Sequence, residues 1–190
     1  ELCRTMAETY LDSHDWAEAK QQILSKNLLQ MRSGSSAKRI EMELRQRLAT
    51  LTPKQINLLA EAPSESRASL AWLAACKHSD FVKDFAVSTL REKLNNLDPL
   101  LRPSDYERYF ESQSLEHIEV ASLKPSTKAK IQGIVKRMLH EAGLLLTDQQ
   151  QTHILQPVIP SDVYDTIVAA DKRWLAVFLV PDDEIYSIRS

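Results

Sequence analysis

The chain has 190 residues, 43% hydrophobic composition and a formal net charge of -2, enough apolar material for one large domain or two small ones with an ordinary core. Three glycines, Gly34, Gly133 and Gly143, argue against a turn-rich β fold and against a glycine-rich phosphate loop. The longest strongly apolar run, Trp174 to Val180, falls far short of the ~20 residues that cross a bilayer, so no membrane span is expected.

The sequence begins at Glu1 without an initiating methionine and with neither the basic leader nor the apolar core of a secretory signal, so a short preceding segment and a cytoplasmic location are expected. Cys3 and Cys76 are too few for a disulfide framework and are expected to be reduced thiols among helices. A first helix is expected over Leu2 to Leu11, and Asp15 with Glu18 opens a second, reaching about Lys26. Asn27 to Gly34 reads as a basic connector to a helix from Ser35 to Thr50. Thr52-Pro53 restarts the chain with a cap and a proline at the first helical position. Past the break at Ala62-Pro63, the segments Ser64 to Lys77 and Asp80 to Asn95 carry apolar residues at helical spacing, among them Leu70, Leu73, Phe81, Phe85, Leu90 and Leu94.

Amides and prolines crowd Asn95 to Pro103, which predicts a division into an N-terminal subdomain, 1-97, and a C-terminal one, 98-190. Ser104 and Glu107 form a capping-box pattern for a helix to about Gln113, Ser114 begins a short helix to Ser122, and Lys124-Pro125 turns into a longer helix ending at Gly143. His153 to Ile159 reads as a small wing strand, and Ser161 caps a further helix. Lys172 to Leu179 reads most simply as a closing helix, with a strand over Trp174 to Val180 as the alternative, before the acidic turn Asp182-Asp183-Glu184. The fold class expected is all-α, mainly helical: a compact helical globule with two helix-turn-helix-like units and room for a minor β wing in the C-terminal half.

Two of these helices share a pattern: SSAKRIEMELRQRL from Ser35 and STKAKIQGIVKRML from Ser126. Each opens with hydroxyl residues suited to capping, continues with a cationic first turn, and carries an apolar stripe: Ile40, Leu44 and Leu48 in one, Ile131, Val135 and Leu139 in the other. Between Lys26 and Arg47 six Lys or Arg stand against two acids, and between Ser122 and His140 five stand against none. Positive charge at a helix start opposes the macrodipole, and a polyanion relieves that conflict. Solvated charged faces are the common alternative for either copy alone. Duplex DNA fits the pattern better than single strands or RNA, because no aromatics interleave with the basic clusters. Arg39 and Lys130 occupy matched places for phosphate contact, with Ser36 and Thr127 adding hydroxyls. No helix face shows a base-reading set, so weak sequence preference is expected.

A search for reaction chemistry finds no catalytic constellation, no cofactor motif and no metal site. Cys76-Lys77-His78 lacks a second ligand pair, and His140-Glu141 has Leu144 where a zincin pair needs histidine. The tryptophans Trp16, Trp72 and Trp174 sit in apolar helical patterns and are expected to pack the core.

The segment Asn27-Leu-Leu-Gln-Met-Arg-Ser33, with Lys38-Arg39-Ile40 and the Arg45 to Leu48 run, resembles the BrxA family of bacteriophage exclusion (BREX) defence systems. Later blocks resemble it in the same order: Phe81 to Phe85, Leu90 to Leu94, Pro103-Ser-Asp105, and Lys136 to Leu144. The resemblance implies a small, mainly helical, non-catalytic component encoded beside a methyltransferase, an ATPase and other defence proteins, and DNA association through helix-turn-helix elements. It places phosphate contacts on Arg32, Lys38 and Arg39 in the first unit and on Lys124, Lys128 and Lys130 in the second. The function expected is therefore that of a DNA-binding accessory protein, not an enzyme, with double-stranded DNA and other BREX proteins as partners, and a monomer when alone. The alternative is an interaction adaptor whose basic helices dock acidic partner surfaces.

Overall fold

The computed structural model describes residues 1-188 and is mainly helical, with one small antiparallel sheet among the described residues. In chain order the helices are α1 (Leu2–Ser13), α2 (Trp16–Ser25), α3 (Gly34–Leu48), α4 (Pro53–Glu61), α5 (Ser64–His78) and α6 (Asp80–Asp84). A π-helical stretch, Phe85–Arg91, joins α6 to α7 (Glu92–Asn95). There follow α8 (Pro103–Glu116), α9 (Ile118–Ala121), α10 (Pro125–Glu141), the strands β1 (Leu145–Asp148) and β2 (Gln151–Ile154), and α11 (Ser161–Asp171). A 3-10 helix, Lys172–Phe178, and α12 (Asp182–Ser187) follow.

The chain forms two compact units. The first comprises Glu1–His78 with Ile159–Ala170, and the second Ser79–Val158 with the chain from Asp171 onward. Residues 79-97, expected in the N-terminal subdomain, thus cluster with the later half, because Phe81 and Phe85 pack their rings on Tyr106, Tyr109 and Phe110 at 4.8 to 5.2 Å.

In the first unit α1 packs against α2 to α5, burying Met6 and Ala7 fully. Local chemistry sets the boundaries. His14 takes a left-handed conformation to end α1, Asp15 accepts from the amides of Ala17 and Glu18 at 2.7 and 2.8 Å to start α2, and Thr52 and Gln55 form the capping box of α4. Helix α11 joins this unit through polar clasps: Ser66 donates to the Asp162 carboxylate at 2.9 Å, and the Gln55 amide donates to the Thr166 carbonyl at 3.4 Å.

In the second unit the residues before α8 pair with β2. The Leu101 amide donates to the Thr152 carbonyl at 2.9 Å, and the Ile154 amide to the Pro99 carbonyl at 2.7 Å. β2 pairs antiparallel with β1 in the register Leu145↔Ile154 to Asp148↔Gln151. Helix α10 enters this hairpin through Gly143, whose φ of +74° closes the helix while the Leu144 amide reaches the Leu139 carbonyl. The chain order is therefore short extended segment, α8, α9, α10, hairpin.

Several expectations shift. The wing strand predicted over His153 to Ile159 runs instead over Gln151–Ile154. Beyond Ile154, Pro157 and Pro160 have no amide to donate to a ladder. The start of α8 is capped by Asp105, which accepts from the Arg102 amide at 2.8 Å, so Ser104 lies inside the helix. Ser114 also lies inside α8, donating to the Phe110 carbonyl, and the short helix begins at Ile118. Lys172 to Phe178 is 3-10 helix rather than strand, and Asp182 to Glu184 form the first turn of α12 rather than a loop.

Candidate nucleic-acid interface

The first basic helix is positioned by its connector. Asn27, at φ 48°, exchanges two hydrogen bonds of 3.1 Å with the backbone of Met31, while Leu29 is buried. This folded turn delivers Arg32 beside the start of α3. Ser33, rather than Ser35 or Ser36, is the cap: its hydroxyl accepts from the Ser36 amide at 3.2 Å. The helix therefore begins at Gly34, one residue earlier than predicted, because Ser33 stands in the extended conformation a cap requires. The Ser36 hydroxyl accepts from the Ser33 hydroxyl at 2.9 Å.

Along α3 the stripe Leu44 and Leu48 is buried and Ile40 is half-buried. Its two acids are committed locally. Glu41, almost fully buried, accepts from Arg45 at 2.7 Å, and Glu43 accepts from Arg47 at 2.6 Å. The cations toward the helix start behave differently. Arg32, Lys38 and Arg39 are exposed and make no ion pair among the described residues.

The second basic helix repeats this layout. Val135 and Leu139 are buried and Ile131 is half-buried, matching Leu44, Leu48 and Ile40 position by position. Its start differs: Lys124 is the cap residue, Pro125 the first helical residue, and no side chain caps the amides, so Ser126 and Thr127 lie in the first turn rather than before it. A lysine side chain has no acceptor to offer there. The result is a helix N-terminus whose amides are not engaged by a capping side chain, with Lys124 and Lys130 exposed and Lys128 half-exposed, none of them ion-paired among the described residues.

The exposed face of α10 continues through Ala129, Gly133 and Arg137. Ala129 and Gly133 carry no side-chain hydrogen-bonding group, so this face offers little for reading base edges. At the far end His140 bridges to the hairpin, its Nδ1 2.9 Å from the Leu145 carbonyl and its Nε2 3.2 Å from the Thr147 hydroxyl. The hairpin turn, Gln149-Gln150, is absent from the sequence-predicted set; it carries no turn dipeptide of the usual kind, and Arg137 signals itself only through charge.

Other candidate groups are accounted for structurally. Cys76 is buried in α5, Trp72 is buried, and Asp182 pairs with the buried Arg91.

The sequence matches the BrxA family profile over residues 3-171. It is 30% identical to a BREX protein BrxA of Escherichia coli over 78% of this chain and 70% of that protein, and 26% identical to one of Bacillus cereus over 80% and 76%. The fold resembles a crystal structure of an uncharacterized protein from Magnetospirillum magneticum, with a TM-score of 0.79 and 22% identity over 94% of this chain and 90% of that one.

Proposed function

Because the chain belongs to the BrxA family of BREX phage-defence systems, we propose that it is a non-catalytic accessory component of such a system that grips duplex DNA through phosphates, with weak sequence preference. The observation that carries this reading is the division of charge on the two matched helices. Cations along the body of α3 are paired with Glu41 and Glu43, whereas those at the helix starts of both α3 and α10 are exposed or half-exposed and make no ion pair among the described residues. Unpaired cations at a helix N-terminus are locally unfavourable and suit a polyanion.

Arg32, Lys38 and Arg39 contact backbone phosphates in the first unit, and Lys124, Lys128 and Lys130 in the second, with Ser36 and Thr127 as hydroxyl contacts. The order of α8, α9, α10 and the hairpin supports a winged helix-turn-helix reading of the second unit, in which α10 is the helix that meets the groove. The protein acts in the cytoplasm, as a monomer on its own, beside other BREX proteins.

An interaction adaptor is the second reading, with the basic helices docked on acidic partner surfaces. Leu115 at the end of α8 and Ile118 at the start of α9, 89% and 85% exposed, favour it. Titration of a random-sequence duplex across a salt series separates the two. Neutralising about four to six phosphates gives a slope of log affinity against log salt of roughly -4 to -5. No binding at low salt, or a slope near zero, removes the DNA reading and leaves the adaptor.

A further inference from the structure

Beside the hairpin turn the second unit holds a cleft of about 340 Å³, within the range of small-molecule sites. Three segments wall it: the residues that lead into α8, the middle of α10, and the chain entering β2. Their chemistry is divided. Leu101 and Pro103 are apolar, Gln132 and Gln151 are amides, and Lys136 is a cation. Lys136 makes no ion pair among the described residues, whereas Arg102, the other cation of the lining, is bound to Asp98 at 2.7 Å.

The wall of the cleft also holds a buried donor. Tyr106 lines the cleft, is only 6% exposed, and has its hydroxyl buried without a hydrogen-bond partner among the described residues. A buried hydroxyl left in this state is unfavourable, and buried polar groups nearly always find a partner. Its ring stacks on Phe85 at 4.8 Å, and burial pushes the phenol above its ordinary value. At neutral pH the group is thus a protonated donor held in place.

We infer that this cleft binds a single nucleoside monophosphate unit. Lys136 takes the phosphate, Gln132 and Gln151 meet the polar edges of base or sugar, and Leu101 and Pro103 line the apolar surface of the base. A bare anion would be served by donors alone. Glutamine amides offer an acceptor beside their donors, which is the mixture that base edges present. The unit comes either from a free nucleotide or from the unpaired end of a DNA strand. None of the residues proposed for duplex contact lines the cleft, so the inference stands apart from that reading.

The test is calorimetric titration of the full chain with deoxyadenosine monophosphate, with inorganic phosphate as comparison. Saturable nucleotide binding is expected, with phosphate weaker by about tenfold or more and Lys136→Gln and Gln132→Leu each weakening the nucleotide by about tenfold. A folded wild type with no saturable binding at millimolar nucleotide overturns the inference, as does equal affinity for phosphate or undiminished binding by Lys136→Gln. Competition of the nucleotide with an overhanging but not a blunt duplex assigns the unit to a strand end; nucleotide binding without such competition assigns it to a free nucleotide. Failure of duplex binding with intact nucleotide binding removes the DNA reading and leaves this one standing.

Discussion

Ser33 shows how one hydroxyl sets the geometry of a basic helix. It satisfies the Ser36 amide and fixes where Lys38 and Arg39 emerge. Ser33→Ala is expected to cost about 1 kcal/mol of stability, measured by urea denaturation, with a smaller effect from Ser35→Ala, which removes no cap. Glu41 carries a larger stake, because its carboxylate is buried and Arg45 is its partner at 2.7 Å. Arg45→Ala leaves that carboxylate unpaired and is expected to destabilise by about 2 to 4 kcal/mol, somewhat below the full buried-pair value because Arg45 itself reaches solvent. Asp98 provides the pH dependence. Hydrogen bonds first from Arg102 and then from Lys93 hold its carboxyl well below the usual carboxylate range. A carboxyl lowered on folding contributes stability that is fully present above its unfolded value, about 4, and is lost as pH falls toward the folded one. Unfolding midpoints measured from pH 5 downward should therefore fall less for Asp98→Asn than for wild type.

Among elements, α10 exposes a conflict between stability and binding. Its cap position is held by Lys124, whose carbonyl accepts from the Thr127 and Lys128 amides but whose side chain cannot cap and adds positive charge at the positive end of the helix dipole. Lys124→Asp should raise stability by about 0.5 to 2 kcal/mol through capping and charge while lowering duplex affinity, a pair of opposite changes that a purely structural lysine would not give. The helices were largely legible in the sequence because their punctuation is strong: Asp15 before Glu18, Thr52-Pro53 with Gln55, and apolar stripes whose last two members are buried in both repeated helices. The π-helical stretch was not read from the sequence, where Asp80 to Asn95 passed as one regular helix although the step from Phe85 to Leu90 is five residues between steps of four. The hairpin was displaced because Gln149 and Gln150 both adopt positive φ, 43° and 70°, where Asn-Gly would have announced a turn. The cleft could not be read at all. It joins residues near 101, 132 and 151, and the first and last of these meet through the pairing of the segment before α8 with β2.

For the whole molecule, a formal charge of -2 conceals strong local imbalance. Glu41, Glu43, Asp98 and Asp182 are each paired with a cation, while the cations at the two helix starts make no ion pair among the described residues. Association driven by those cations depends on salt and hardly on sequence. The most direct measurement is duplex affinity at low salt for wild type, Lys38→Glu/Arg39→Glu and Lys128→Glu/Lys130→Glu proteins, each first shown to be folded by circular dichroism. Each double reversal is expected to weaken binding by about tenfold or more, and the combination further still, with a shallower salt slope. Unchanged affinity in both folded variants would contradict a DNA grip built on these two helix starts.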